Sequence, residues 1–182
     1  AELGLEWVVL SVIGLGWSAE HKSWSFPMYG ADKKVRGIRL RATTGKKFAV
    51  VGSQEGVFRM LNDLTLKSEQ LSPSTVYVAE GPTDTAALLQ LGFTAVGRPS
   101  CTGAVGILVE ILKQLNVVIV TDADSPGRSG ARMLASKLIG LVESVKIIEP
   151  HRSDMREWVT AGATQEAVEM LTHDAKEYTH GT

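Results

Sequence analysis

Two strand-to-helix transitions, each ending in carboxylates, limit what this chain of 182 residues can fold into. The first is VYVAEGPTDTAALL, where the apolar run Val76-Tyr77-Val78-Ala79 closes on Glu80 and Asp84 follows. The second is VVIVTDADSPGRSGA, where Val117 to Val120 leads to Asp122 and Asp124. Each reads as a buried strand, a Gly/Pro turn and a helix start. Ligands of open α/β sheets bind beyond the carboxyl ends of the strands. If the two strands are neighbours, their carboxylates converge there with no Cys or His among them. Such an all-oxygen set suits Mg2+ or Mn2+ and suits zinc poorly, which points to metal-dependent phosphoryl transfer.

Strand-helix alternation continues from Val76, the pattern of a parallel sheet. Strands are expected at 76–80, 94–97, 117–121 and 144–149, with helices starting near Pro82, Gly103 and Pro126. The second helix carries Ala104, Ile107, Leu108, Ile111, Leu112 and Leu115 on one stripe. Short helices near 154–161 and 165–172 finish the chain. The N-terminal part differs. A helix over 3–13 ends at Gly14 and Gly16, and strands at Trp24–Met28, Val35–Ala42 and Lys46–Val51 read as antiparallel. Thr43-Thr44-Gly45 makes a tight hairpin between the last two. Alternation puts Ile38 and Leu40 on one face of it and Arg39 and Arg41 on the other. The polar stretch 62–74, with Ser72-Pro73-Ser74, marks a boundary. The expected organisation is a small basic subdomain over 1–72, an α/β domain over 73–152 and a helical tail over 153–182.

The net charge of −1 hides an asymmetry. Residues 20–60 hold nine Lys/Arg against three acids, a surplus of six positive charges, so the remainder carries seven negative ones. A basic lobe attracts phosphates, and an acidic cluster recruits the cations that act on them. A solvated basic hairpin is the plainer alternative. One cysteine, Cys101, leaves no internal disulfide and no Cys-based zinc site. The apolar stretch Trp7 to Trp17 is too short to span a bilayer and follows no basic leader, so a cytoplasmic protein without membrane contact is expected. Trp7, Trp17, Trp24 and Phe58, beside glycines or within apolar runs, are expected in the core.

Glu80-Gly81-Pro82-Thr83-Asp84 followed by Asp122-Ala123-Asp124-Ser125-Pro126-Gly127 resembles the Toprim signature. That domain is shared by bacterial-type primases, type IA and type II topoisomerases, and certain nucleases and recombination proteins. The chain is most similar to the catalytic core of bacterial and phage primases of the primase-helicase type. Trp24 to Phe58 looks like the small basic domain that precedes Toprim there, and Asp154 like the late Asp. The resemblance implies a Toprim-like, parallel-dominated α/β sheet flanked by helices, preceded by a small antiparallel α+β subdomain. It implies a magnesium- or manganese-dependent nucleotidyltransferase, with two ions, making short RNA primers on single-stranded DNA from ribonucleoside triphosphates. A replicative helicase and a zinc-binding module on another segment are implied partners, in a bacterial or phage replication setting.

Glu80, Asp122 and Asp124 are the catalytic candidates, joined as metal ligands by Asp84 and Asp154. Each has a plainer alternative. Glu80 could pair with a nearby cation, and one Asp of the second motif could cap the following helix. Ser125-Pro126 already supplies a cap and first-turn pair, which makes capping by both Asp residues redundant. Asp84 falls in a first helical turn, where the dipole favours acids, and Asp154-x-x-Glu157 could simply begin a helix. Arg39, Arg41, Lys46, Lys47 and Arg128 are the candidates for nucleotide and DNA contacts, and the resemblance singles out Arg39 and Lys46 as facing the metals. A Toprim nuclease, which uses the same acids on water, and a non-catalytic DNA-binding or replisome-docking module are the alternatives.

Overall fold

The computed structural model describes residues 3–60 and 75–179. The polar boundary expected at 62–74 lies outside the described residues. Two four-stranded sheets organise the rest. The first is an antiparallel meander of β1 (Gly16–Ser18), β2 (Ser23–Tyr29), β3 (Val35–Ala42) and β4 (Lys47–Ala49), preceded by α1 (Trp7–Val12). The hairpin between β3 and β4 turns at Gly45, whose φ of +87° favours glycine. Leu10, Ile13, Phe26, Met28 and Phe58 form its core together with Ala86 of the second layer.

The second sheet has the order β6 (Ala95–Arg98), β5 (Thr75–Glu80), β7 (Asn116–Val120), β8 (Ser144–Ile148), with all pairs parallel. Its helices are α2 (Pro82–Gln90), α3 (Val105–Ile111), α4 (Ser125–Leu138), α5 (Met155–Thr160) and α6 (Gln165–Asp174). Side chains alternate along a strand, and both faces of a parallel sheet are covered. Val76 and Val78 therefore meet Leu108, Leu112, Leu134 and Leu138 of the α3 and α4 layer. Tyr77 and Ala79 face the other way, onto Leu88, Met155, Trp158 and Val168. Each of the Val, Leu and Met side chains contributes roughly 1.5–3 kcal/mol when fully buried.

The two sheets are joined by main chain. Phe58 forms an antiparallel bridge with Gly97 on the outer edge of β6. On the opposite edge Lys146 of β8 bridges to Glu177, and Tyr178 N donates to Val145 O at 2.7 Å.

The α/β class and its antiparallel preface match the expectation, with three differences. β1 was not anticipated, because three residues between glycine and turn give no periodicity. α1 is shorter than the expected 3–13 and buries only Leu10. Consequently Trp7 is 65% exposed and Trp17 50% exposed, contrary to the core position expected of them, and Phe58 alone of the four aromatics is fully buried. Trp17 instead packs edge-on against the half-buried Trp24, with ring centroids 5.0 Å apart.

Candidate active site

The β5 and β7 strands are hydrogen-bonded neighbours, so their carboxyl ends deliver Glu80 and Asp122 side by side. Gly81, with φ of +87°, turns the chain at once into α2, whose first turn holds Asp84. Asp84 is buried. Its Oδ1 accepts the backbone N–H of Arg156 at 2.9 Å, and its Oδ2 accepts the hydroxyl of Thr83 at 3.4 Å. That first contact ties α2 to the start of α5, where Asp154 stands.

The carboxylates feel one another. Burial and then the charge of Asp154, with a further share from Asp122, push the Asp84 carboxyl up to about 7, against a backbone hydrogen bond and Lys47 that pull it down. Asp122 is pushed up to about 6 by burial, then by Glu80, Asp154 and Asp124, with Lys47 again opposing. Like charges held together in a partly dry site disfavour ionisation. Glu80, Asp84, Asp122, Asp124 and Asp154 thus belong to one electrostatic cluster.

Two members have local duties as well. Asp124 is the N-cap of α4, and its Oδ1 accepts from Gly127 N at 2.6 Å. This corrects the expectation that Ser125 would cap. The helix starts one residue earlier, with Ser125 and Pro126 inside its first turn, because Asp124 keeps the extended φ/ψ that a cap requires. Asp154 caps α5 through Glu157 N at 2.6 Å and lies 3.6 Å from Arg156 Nη2. Each cap leaves one carboxylate oxygen free of that bond.

The all-oxygen donor set fits a hard divalent cation, and the mutual repulsion is what such a cation relieves. Among the described residues, no three of these side chains are gathered closely enough to form a finished ion cage.

The basic hairpin meets the acids at Glu80. Arg39, Arg41 and Lys47 line a cavity of about 110 Å³ together with Glu80, Gly81, Pro82, Pro99 and Ser100. Arg41 Nη1 reaches Thr83 Oγ1 at 3.5 Å, at the start of α2. Lys46 is exposed and does not line that cavity, whereas Lys47 is the lysine that acts on Asp84 and Asp122. Arg128 makes a two-pronged ion pair with Glu149, at 2.7 Å for both contacts. Sequence reasoning missed Arg98, a fully buried cation at the end of β6 whose charge neighbours include Glu80 and Asp122. Its signal was an arginine directly after the apolar run Ala95-Val96-Gly97, obscured by the turn-like Pro99-Ser100 that follows.

No protein-family model matches the sequence. No curated protein matches it either. Solved structures do match in fold. A DnaG catalytic core superposes with a TM-score of 0.72 at 17% identity, covering 97% of this chain and 71% of that one. A chain from the bacteriophage T7 lagging-strand polymerase assembly, which contains primase domains of two gp4 subunits on an RNA/DNA hybrid with dTTP, gives 0.73 at 13% identity. That match covers 96% of this chain and 89% of the other. The E. coli primase catalytic core gives 0.63 at 18% identity, covering 93% and 60%. The chain therefore has the fold of primase catalytic cores across nearly its whole length.

Proposed function

We propose that this protein is a primase-type catalytic core, which joins ribonucleotides on a single-stranded DNA template in a divalent-ion-dependent phosphoryl transfer. The observation that carries the reading is the cavity that Arg39, Arg41 and Lys47 share with Glu80, with Lys47 also acting on Asp84 and Asp122. Residues 1–72 form the basic subdomain in this reading, 73–152 the Toprim domain and 153–182 the helical tail.

Glu80, Asp122 and Asp124 would hold the ions, Mg2+ or Mn2+, with Asp84 and Asp154 beside them. When bound, a pair of divalent ions activates an attacking hydroxyl and offsets charge on the phosphate and pyrophosphate oxygens. The chain's own contribution is positioning. Thr83 and Arg156 N fix Asp84, the caps fix Asp124 and Asp154 at their helix starts, and the β5 and β7 strand ends place Glu80 and Asp122. Arg39, Arg41 and Lys47 supply point charges for triphosphate and template phosphates, with Lys46 and Arg128 at the margins. The likeness to the primase fragment of the bacteriophage T7 primase-helicase and to an Aquifex aeolicus primase with a zinc-binding domain suggests a helicase and a zinc-binding module as partners. None of the described helices is long and apolar enough to cross a membrane.

Primer synthesis on varied single-stranded templates, with labelled ribonucleotides and Mg2+ or Mn2+, tests the reading. Template-dependent ribonucleotide products support it. Shortened DNA in the same mixture would instead identify a nuclease, which uses the same acids on water.

A further inference from the structure

Among the described residues, Arg98 is the bulkiest of the side chains sealed completely inside the protein. It ends β6 directly across the strand pair from Glu80. By alternation both residues continue the Val76, Val78 and Val96 face of the sheet, toward α3 and α4. The Nη1 group donates to the carbonyl of Cys101 and to that of Gly130, the latter at 3.2 Å. Gly130 is what lets those carbonyls approach, since a Cβ there would collide with Cys101 O. Nε and Nη2 are buried and have no partner. Burial disfavours the charge on this guanidinium, while Glu80, Cys101 and Asp122 favour it. A guanidinium does not give up its proton inside a protein, so a full positive charge with two idle donors lies beneath the carboxylates.

We propose that Arg98 is a built-in counter-cation of the acidic cluster, a positioning residue whose buried charge, one strand away from Glu80, offsets the carboxylates when no divalent ion is bound. The proposal rests on the reading that the cluster takes divalent ions. The carboxylates then have two sources of positive charge, the guanidinium below and an ion above, and the first limits their mutual repulsion when the second is absent. The same charge weakens ion binding, because a cation at the carboxylates is repelled by the guanidinium beneath them. Removing the charge makes the fold depend more on the ion.

Thermal unfolding of the full chain in EDTA and in saturating Mn2+ tests this, using Arg98→Met, Arg98→Lys, Glu80→Gln and the double variant Glu80→Gln/Arg98→Met. The expected result is a rise in Tm on adding Mn2+ that is at least twofold larger for Arg98→Met than for the unmodified protein, since ion linkage adds stability to the state that binds it. Arg98→Lys retains the charge and keeps the smaller, original response. If Arg98 only tethers the Cys101 and Gly130 carbonyls, Arg98→Met lowers Tm equally in EDTA and Mn2+, and that outcome overturns the proposal. Should Arg98→Met not fold, the double variant decides, because removal of Glu80's charge is expected to restore folding. A double variant that also fails to fold, or an equal cost of Arg98→Met in both Glu80 backgrounds, overturns the proposal too. Absence of any Mn2+ response in the unmodified protein counts against ion binding alone, and the Glu80–Arg98 coupling is still read from the double variant in EDTA.

Discussion

Phe58 and Gly97 exchange two main-chain hydrogen bonds, each 2.8 Å, and so weld the basic sheet to the edge of the parallel one. The Phe58 ring is buried and packs edge-on against Phe26 at 6.5 Å between centroids. Gly97 admits no side chain, because a Cβ would collide with Thr85 Oγ1 and fall 3.0 Å from Gly81 O. Phe58→Ala is expected to cost about 3–5 kcal/mol of unfolding free energy, as for other large aromatic truncations in cores. Gly97→Ala should disturb the start of α2, and with it Asp84. Chemical denaturation checks both, and a loss under about 1 kcal/mol for Phe58→Ala would show that the weld is not cohesive.

Stability without divalent ions should fall as pH rises from about 4 to about 7. The folded carboxyls of Asp84 and Asp122 hold protons up to about 7 and about 6, against an ordinary value of 3.8. Across that window the folded state binds more protons than the unfolded one, so deprotonation favours unfolding. A tenfold difference in proton affinity between folded and unfolded states corresponds to about 1.4 kcal/mol, giving a decline on the order of a few kcal/mol. Glu149, held low by Arg128, works in the opposite direction, and only below its ordinary 4.5. Urea midpoints in EDTA at several pH values measure the slope. Asp84→Asn should flatten it, and a slope unchanged in that variant would remove Asp84 as its source.

Asp124→Asn and Asp124→Ala should separate two duties of one carboxylate. Asparagine is as good an N-cap as aspartate, whereas alanine costs about 1 kcal/mol of helix stability. Both variants should lose primer synthesis by at least about a hundredfold, as expected when a group acting on the reacting charges is removed. Only Asp124→Ala loses the bond to Gly127 N. Full activity in Asp124→Asn would reduce this residue to a cap.

The hairpin predicts an unequal pair of lysines. Arg39→Ala/Lys47→Ala should weaken single-stranded DNA binding and lower the slope of log affinity against log salt by about 1.4, at roughly 0.7 per phosphate contact. Lys46→Ala should change little, because Lys46 is off the cavity that Arg39 and Lys47 line. Fluorescence anisotropy over a salt series distinguishes them, and the reverse ranking would move the DNA path to the outer side of the hairpin.

The parallel sheet was legible because its strands, buried on both faces, read as apolar runs broken by Gly and Pro. Val76–Ala79 and Val117–Val120 left little alternative. The acids at the ends of those runs were legible for the same reason, since a charged residue immediately after a buried strand must lie at its lip. What escaped was set by contacts distant in sequence. Arg98 takes its meaning from Glu80 on one strand and Gly130 on a helix, neither of which its local sequence announces. The tryptophans misled because α1 buries one side chain rather than a whole stripe. Asp124 was displaced by one position from its capping role because Ser125-Pro126 is an equally credible helix start.

The bridges at Phe58 and Glu177 occupy the two outer strands of the parallel sheet, β6 and β8. A strand edge left bare is a template for self-association, and proteins cover such edges to stay apart from their own copies. Here one cover is the lobe that carries the basic hairpin, and the other is a short run just beyond α6. Solubility and architecture are therefore coupled in this molecule. Shortening the chain to residue 174 would uncover β8 while leaving every acidic and basic residue of the cleft in place, and the product should aggregate on storage before it loses its chemistry.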